Sequence, residues 1–362
     1  MNIAFYCNEM NLRGVANSTY LFALYNKKLL KNKSIVFYNK ENKFNKKIII
    51  NKFKKKFKTI GISNFNEIDN FKFKLKLDYI YVQKGGEKDS WQSNNIETLI
   101  HAIYPQKLNE VHGDSYVYIS EWLSQKFSNN KIPFVPLIIP QNLSKNNLRK
   151  KLNIKKNHLV FGCHGGESSF DLKFVKDLLN KIVKRDKNLF FIFLNINKFC
   201  NHPNIKFLKG SADETVVQKF VNSCNAMIYG RSLGESFGIS CGEFAAQNKP
   251  IISYRFNRHR AHRHNISDGQ FFEYGSYKDL EKILLNFKKL KTNKNLNNKY
   301  KNYSKKKVMQ IFKKNFLLKR EKTIFTMKDY LVNLCARIEL NYNYLRHKIY
   351  NHYYNFIESK FY

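Results

Sequence analysis

The sequence predicts an α/β protein of two doubly wound domains followed by a helical tail. Short apolar runs alternate with amphipathic helical patterns from the first residues onward. The alternation stops near residue 150 and then starts again. The chain has 362 residues, which is long enough for two domains of ordinary size and too long for one core.

The first predicted domain, residues 1–140, begins with a strand, a helix and a second strand: Ile3–Cys7, Ser18–Leu30 and Ser34–Tyr38. A unit of this length implies parallel strands joined by a right-handed crossover. The segment Lys40–Lys58, rich in Lys, Asn and Phe, is expected to be a solvated loop and helix face. Further predicted strands are Tyr79–Gln83, Thr98–Ile103 and Tyr116–Ser120.

A stretch punctuated by proline, from Ile132 to Pro140, predicts the linker, because proline disfavours helix. The second domain is expected over residues 151–292. Ligands of doubly wound sheets bind at the carboxyl ends of the strands, here in a cleft between the domains. Its predicted strands are Leu159–Cys163, Leu189–Leu194, Ile205–Leu208, Ala226–Tyr229, Pro250–Tyr254 and Gln270–Tyr274, and its predicted helices are Phe170–Lys184, Glu214–Ser223, Gly238–Gln247 and Tyr277–Lys289.

The chain is strongly basic, with 65 Lys and Arg against 27 Asp and Glu and a net charge of +38. Such a field attracts polyanions: nucleotide diphosphates, anionic lipid surfaces or nucleic acid. The accompanying abundance of Asn, Ile, Phe and Tyr is also what an AT-rich genome encodes. A selected basic surface and codon bias are therefore alternative explanations of the charge.

Cysteine usage and hydropathy predict a cytoplasmic protein. The six cysteines are far apart and form no C-x-x-C pair, which argues against a zinc knuckle or a disulfide framework. The N-terminus is predicted to be a strand and not a signal peptide. No apolar run approaches the roughly 18 residues of a spanning helix. The protein is expected to be soluble or peripheral at a membrane surface.

The strongest local pattern lies between the predicted strands Ala226–Tyr229 and Pro250–Tyr254. A loop of small residues ends at Gly238, where a helix begins with free N–H groups that suit a diphosphate. Glu235 in the loop and Glu243 on the helix can accept hydrogen bonds from the hydroxyls of a sugar and a ribose. The alternative is a surface helix with two incidental glutamates.

Glu-Ser-Phe-Gly-x4-Glu-x-x-Ala, which starts at Glu235, resembles the E-x7-E element of retaining family 4 glycosyltransferases. The resemblance covers roughly residues 1–290. It implies the GT-B fold, with two Rossmann-like domains facing a cleft, and a nucleotide-sugar donor. In that family the first Glu contacts the transferred sugar and the second the ribose, which implies these roles for Glu235 and Glu243. It also implies donor contacts from Ser236, Phe237, Gly238 and Ile239.

The end of the first strand of the second domain is where this family has its phosphate-contacting loop. Family members usually carry an Arg there and a Lys a few residues on. This chain departs from the pattern, with His164, Gly165 and Gly166 in the loop and Lys173 as the nearest downstream cation. Two glycines would let backbone amides approach a phosphate. His164 could instead be a polar turn residue. Arg231 is a second candidate for the diphosphate charge.

Four residues of the first domain are further candidates for the site. Arg13 and Gly14 lie in the loop after the first strand. His101 resembles the strand-end histidine that sits near the reacting carbon in these enzymes, which implies a catalytic role beside Glu235. A buried core histidine is the alternative for His101. His112 is assigned to the acceptor side.

The basic run Arg255–His264 follows a predicted strand end, and Arg258 within it is a candidate for binding donor or acceptor phosphate. A metal site is disfavoured, because the histidines of this run stand between arginines. No Asp-x-Asp occurs in the sequence. We therefore expect neither a metal nor a cofactor, and electrostatic stabilisation of the leaving group by the start of the helix at Gly238, Lys173 and Arg231.

The tail, residues 298–362, is helical, aromatic and basic in pattern. It is expected either to pack back on the domains or to form an interfacial helix that meets anionic lipid. The expected function is transfer of a sugar from a nucleotide-sugar to a glycan, lipid-linked or protein-glycan acceptor. The alternatives are a nucleotide-sugar 2-epimerase on the same fold, a basic nucleic-acid-binding protein and a DNA glycosyltransferase. The intact motif and the absence of a nucleic-acid module disfavour the binding protein, whereas the basic charge keeps the DNA glycosyltransferase as an alternative.

Overall fold

The computed structural model describes residues 1–140, 145–290, 298–318 and 323–360. The chain forms two compact units, one of Met1–Ile138 with Tyr303–Ile338 and one of Ile139–Asn302 with Glu339–Tyr362. Each unit contains a six-stranded sheet in which all neighbouring strands are parallel. The predicted fold class, two successive doubly wound α/β sheets, is confirmed.

The sheet of the first unit has the strand order β3-β2-β1-β4-β5-β6. Its predicted strands are found within one or two residues of their predicted ends. The edge strand β3 was not predicted, because its alternation is short and a glycine interrupts it. The elements up to residue 138 are β1 Asn2–Cys7, α1 Gly14–Leu29, β2 Lys33–Asn39, α2 Lys47–Lys54, β3 Lys58–Ile62, α3 Lys72–Leu75, β4 Tyr79–Lys84, β5 Glu97–Ala102, β6 Ser115–Tyr118 and α4 Glu121–Ser128.

The sheet of the second unit has the order β14-β12-β10-β7-β8-β9, and β11 and β13 form a separate two-stranded pair. The predicted bounds of β8, β9, α6 and β10 agree with the structure to the residue. The elements are β7 Leu159–His164, α5 Lys173–Arg185, β8 Leu189–Leu194, β9 Ile205–Leu208, α6 Glu214–Ser223, β10 Ala226–Tyr229, β11 Gly234–Glu235, α7 Ile239–Ala246, β12 Ile251–Tyr254, β13 His259–Arg260, α8 Ala261–His264, β14 Phe271–Tyr274 and α9 Tyr277–Leu285.

The central strands are apolar along their whole length, as is typical of parallel sheets that are buried on both faces. Every residue of Ile3–Cys7 is buried, and so is every residue of Leu189–Leu194. Polar loops therefore begin abruptly where such a strand ends. That change fixes the positions of the loops at the carboxyl edge of each sheet, where doubly wound proteins bind ligands.

Two helices follow residue 302. Helix α10, Lys305–Phe312, belongs to the first unit and packs on α1. Helix α11, Met327–Phe356, has 30 residues, of which those up to Ile338 belong to the first unit and the rest to the second. Within the described ranges, no helix combines the length and the apolar character needed to cross a membrane.

Candidate functional site

The sheet of the second unit changes its winding direction between β7 and β10. From β7 the chain continues to β8 and β9 on one side, whereas β10 leads to β12 and β14 on the other. A topological switch point of this kind opens a crevice at the carboxyl ends of the two strands. Two loops predicted to bind the donor, the one that starts at His164 and the one that leads from Tyr229 to Gly238, both begin there.

The structure brings His164 and Glu243 into direct contact. His164 Nε2 lies 2.9 Å from Glu243 Oε2, and each side chain is largely shielded from solvent. Neither atom hydrogen bonds another group of the described chain. The ring of His164 also stacks on Phe244 at 6.1 Å. The contact joins the end of β7 to helix α7, so the two predicted donor-binding segments form one cluster.

Glu235 is held by two donors from the preceding strand and loop. Tyr229 Oη donates to Glu235 Oε1 at 2.6 Å, and Arg231 Nη1 donates to the same oxygen at 3.2 Å. Tyr229 is fully buried, and burial followed by the charge of Glu235 raises its pKa well above the ordinary value. Tyr229 therefore stays protonated and acts as a donor. The carboxylate has a fixed position at the entrance to the loop.

The loop between Glu235 and helix α7 has a backbone that favours glycine at two points. Gly234 has φ +69 and Gly238 has φ +88. β11 pairs with β13 through Gly234 and His259, so a Cβ at Gly234 would lie 2.1 Å from the carbonyl oxygen of His259. Tyr300 Oη donates to the carbonyl of Phe237. Neighbouring backbone thus fixes the loop that carries the first glutamate.

Helix α7 begins at Ile239, and no side chain caps it at Gly238. Its eight residues include Glu243 one turn from the start. Ser236 and Phe237 are buried, and the Phe237 ring packs on Tyr300 at 5.6 Å. A ligand at this point would therefore contact the backbone N–H groups at the start of α7 and not these two buried side chains. Helix N-termini bind anions through such N–H groups.

The two glycines after His164 lie in different surroundings. Asn195 Nδ2 donates to Gly165 O at 2.7 Å, and a Cβ at Gly165 would lie 2.6 Å from Ser169 Oγ. No atom lies within 4 Å of the place where a Cβ of Gly166 would be. The loop is anchored on one side by Asn195 and is open at Gly166, so a ligand can approach its backbone closely.

Two cations predicted to bind phosphate contact other groups. Lys173 Nζ pairs with Asp177 at 2.8 Å and lies 5.3 Å from the Tyr354 ring. Arg258 stacks on Tyr344 at 5.6 Å and reaches Asn341. Both side chains are engaged within the second unit by helices that lie outside the cluster. Arg231 is the predicted cation that lies beside Glu235, a predicted donor-binding residue.

Two further arginines of the basic run Arg255–His264 form local ion pairs. Arg260 and Arg263 pair with Glu273, and Arg263 pairs with Asp268 as well. His262 is fully buried, with Nε2 3.0 Å from Ser253 Oγ. Two of the four arginines in the run are thus paired with carboxylates of β14 and the segment before it.

His101 is completely buried in the core of the first unit. Its Nε2 lies 2.7 Å from the carbonyl oxygen of Val135, which can only accept, so Nε2 carries the proton. Nδ1 then accepts from Tyr81 Oη at 2.7 Å. Both nitrogens are satisfied away from solvent. This arrangement favours the alternative of a core histidine over the catalytic role that the resemblance implies for His101.

Three buried histidines predict acid sensitivity. Burial lowers the pKa of His101, His259 and His262 to about 3, and neighbouring arginines add to the effect for the last two. In the unfolded chain each histidine titrates near pH 6.5. Below that pH only the unfolded chain binds the protons, so the free energy of unfolding falls by about 1.4 kcal/mol per pH unit for each histidine. We expect urea midpoints to fall between about pH 7 and pH 5. Equal urea midpoints at pH 7 and pH 5 would contradict this expectation. The control, in which Gln replaces the exposed His352, should leave the dependence of the midpoint on pH unchanged.

The first unit has a polar cluster at its own switch point, between β1 and β4. Lys84, the last residue of β4, is buried and pairs with Asp89. Lys84 Nζ also lies 3.2 Å from His112 Nε2, and His112 Nδ1 donates to Glu110 O at 2.7 Å. The sequence pointed to His112 but not to Lys84, although Lys84-Gly85-Gly86 follows a predicted strand and could have given the signal.

Arg13 and Gly14, the other residues predicted for this edge, lie at the start of α1. The Arg13 side chain is mostly exposed and lies 4.0 Å from Glu9. Gly14 is the first residue of the helix. The structure thus gathers Lys84, Asp89 and His112 and leaves Arg13 at the surface.

No protein-family model and no curated protein matches the sequence. Solved structures do match over nearly the whole chain. A glycosyltransferase from Rickettsia africae ESF-5 superposes with a TM-score of 0.59 at 14% identity, covering 94% of this chain and 98% of that one. HepE of Anabaena in complex with UDP-glucose superposes with a TM-score of 0.59 at 12% identity, covering 94% and 100%.

UDP-GlcNAc 2-epimerase from Neisseria meningitidis, bound to UDP-GlcNAc, matches about equally well. Its TM-score is 0.58 at 12% identity, and 87% of this chain and 100% of that chain are covered. At such identities the likeness shows the fold alone. The chain has the GT-B fold, which glycosyltransferases and UDP-GlcNAc 2-epimerases share, and the predicted fold is confirmed.

Proposed function

We propose that the chain is a glycosyltransferase that takes a sugar from a nucleotide-sugar donor bound to its second unit. One observation carries the proposal: Glu235, Glu243 and the uncapped start of helix α7 meet at the switch point of that sheet. Two carboxylates and a helix start are the groups needed for a sugar, a ribose and a diphosphate. HepE, which has the same fold, is described in complex with UDP-glucose.

Each group receives a role from its chemistry. Glu243 accepts a hydrogen bond from the ribose, and Glu235 accepts one from a sugar hydroxyl, because Tyr229 and Arg231 already bind only its Oε1. The N–H groups at the start of α7 and the open backbone at Gly166 meet the diphosphate. Arg231, whose guanidinium lies beside Glu235, offsets part of the leaving-group charge.

The finer assignment rests on the motif. The spacing of Glu235 and Glu243 supports a family 4 enzyme that retains anomeric configuration. The sequence has no Asp-x-Asp, and a helix start beside Arg231 supports stabilisation of the diphosphate without a metal. We infer front-face transfer, in which the leaving phosphate helps to deprotonate an acceptor hydroxyl of a glycan or a lipid-linked sugar.

Glu243→Gln is expected to raise the Kd for UDP about tenfold, because the amide cannot replace the charged acceptor for a ribose hydroxyl. Titration calorimetry with UDP on the full chain measures this change. Glu214→Gln, on helix α6 of the same unit, is the matched control and should leave the Kd unchanged. Wild-type protein that neither binds UDP, ADP or GDP nor gains thermal stability from them would contradict the proposed function.

A nucleotide-sugar 2-epimerase is the second candidate, favoured by the likeness to the Neisseria enzyme. Incubation with UDP-GlcNAc and no acceptor separates the two. An epimerase changes the sugar while it stays on the nucleotide, whereas a transferase releases UDP only when the sugar moves to an acceptor or to water. Recovery of an epimerised UDP-sugar would assign the second function to the same site.

A further inference from the structure

Helix α11 exposes a line of apolar side chains along one side. Eight apolar residues follow one another at spacings of three or four from Leu331 through Leu334, Ile338 and Leu345 to Phe356. Each of them is between 45% and 61% exposed. We call this line the apolar stripe. Exposed apolar residues scattered singly are ordinary, but a continuous patch of this length marks an interaction surface.

The buried residues of the helix lie on its opposite side. Asn333, Leu340 and Tyr354 are buried, and Asn333 Nδ2 donates to Phe127 O at 2.8 Å while Tyr354 Oη donates to Asp177. With 3.6 residues per turn, these positions fall about half a turn away from Ile338 and Leu345. Packing on the protein therefore does not account for the apolar stripe.

The edges of the stripe are basic. Lys328 and Arg346 are exposed on one edge and Lys348 on the other. The helix has two carboxylates, Asp329 and Glu339, and Asp329 is buried. The chain as a whole carries a net charge of +38. An occupant of this surface must offer apolar contact in the middle and negative charge at both edges.

We propose that the apolar stripe lies flat on an anionic phospholipid surface. The aliphatic residues of the stripe would insert at the boundary between headgroups and acyl chains. Tyr342 and Tyr353 of the stripe would lie at the level of the headgroups. Lys328 and Lys348 would meet lipid phosphates, and the exposed Arg346, whose guanidinium also stacks on Phe256 at 4.2 Å, adds to the positive charge. The helix lacks the apolar character needed to cross a bilayer, so it lies on the surface. The inference does not depend on which reaction the second unit catalyses.

The straightness of the stripe favours a planar surface over a second copy of the helix. From Leu331 to Phe356 the average spacing is about 3.6 residues, so the line stays on one side of the helix. A left-handed coiled coil needs a repeat of about 3.5, and its seam drifts around a straight helix by about 20° per heptad. This stripe does not show that drift.

The test compares the full chain with the variant L345E/I349E in co-sedimentation with vesicles. The vesicles consist of phosphatidylcholine with or without phosphatidylglycerol. We expect the wild type to bind the mixed vesicles and to be released by high salt, and the variant to partition about tenfold more weakly or worse. The control F73E/L285E changes the charge equally at two exposed apolar positions on α3 and α9 and should bind like the wild type.

Circular dichroism and the urea midpoint establish that L345E/I349E is folded. The proposal is overturned if folded L345E/I349E binds mixed vesicles as the wild type does, or if the wild type binds neither vesicle. It is also overturned if the wild type is a dimer that L345E/I349E converts to a monomer without any vesicle binding, because that outcome assigns the stripe to self-association.

Discussion

Glu235→Gln is expected to lower the transfer of labelled sugar from a UDP-sugar about a thousandfold while leaving the affinity for UDP unchanged. The carboxylate is fixed by Tyr229 at 2.6 Å and by Arg231 at 3.2 Å, so its charge is already in position before the sugar reacts. Removing one such preorganised group from an active site commonly costs two to three orders of magnitude, or about 3–4 kcal/mol in the barrier. UDP lacks the sugar, so its binding has no contact to lose.

The measurement uses radiolabelled UDP-glucose and UDP-GlcNAc with transfer to water or added acceptor as the readout, and calorimetry with UDP. Glu235→Gln and Glu243→Gln are then expected to separate: the first loses turnover, and the second loses UDP affinity. Glu41→Gln, at an exposed position of the first unit, is the control and should change neither. Full turnover by Glu235→Gln would remove Glu235 from the donor assignment.

Gly234→Ala is expected to destabilise the second unit by about 3 kcal/mol or more. At φ +69 a Cβ is strained even in open space, which costs about 1–2 kcal/mol. Here the Cβ would also lie 2.1 Å from His259 O and 2.7 Å from Asn257 Cβ. The pairing of β11 with β13 must therefore open, and Glu235 moves with it. Urea unfolding of the full chain measures the loss.

Gly166→Ala is the matched control for this effect. Nothing lies within 4 Å of its Cβ position, so the free energy of unfolding should stay within about 0.5 kcal/mol of wild type. If the backbone at Gly166 approaches a diphosphate, the added methyl should still weaken UDP binding. Equal stability of Gly234→Ala and Gly166→Ala would contradict the backbone account of the glutamate loop.

Local patterns sufficed for most of the fold. Strands such as Leu189–Leu194 are buried on both faces, so their apolar runs are continuous and end sharply. The edge strand Lys58–Ile62 has no such signal, because half of it faces solvent and Gly61 interrupts it. Helix α4 follows Tyr118 after only two residues, and its Ser120 cap, which accepts from Leu123 N, was not recognised in the sequence.

The candidate site was predictable in part. Glu235 and Glu243 are only eight residues apart, so their spacing is visible in the sequence alone. The contact between His164 and Glu243 joins residues 79 positions apart and depends on β7 lying beside β10. Lys84 follows a predicted strand and precedes two glycines, but its contact with His112, 28 residues away, appears only in the tertiary structure.

The sequence by itself determined the doubly wound fold and the positions of the two glutamates, because buried parallel strands and tight glycine turns are local properties of the chain. The tertiary structure decided which charged and titratable groups are engaged. It paired Lys173 with Asp177 and Arg260 with Glu273, and it placed His101 between Tyr81 and Val135. Such choices depend on which strand ends and helices become neighbours, since burial and pairing between distant residues set the charge of each group.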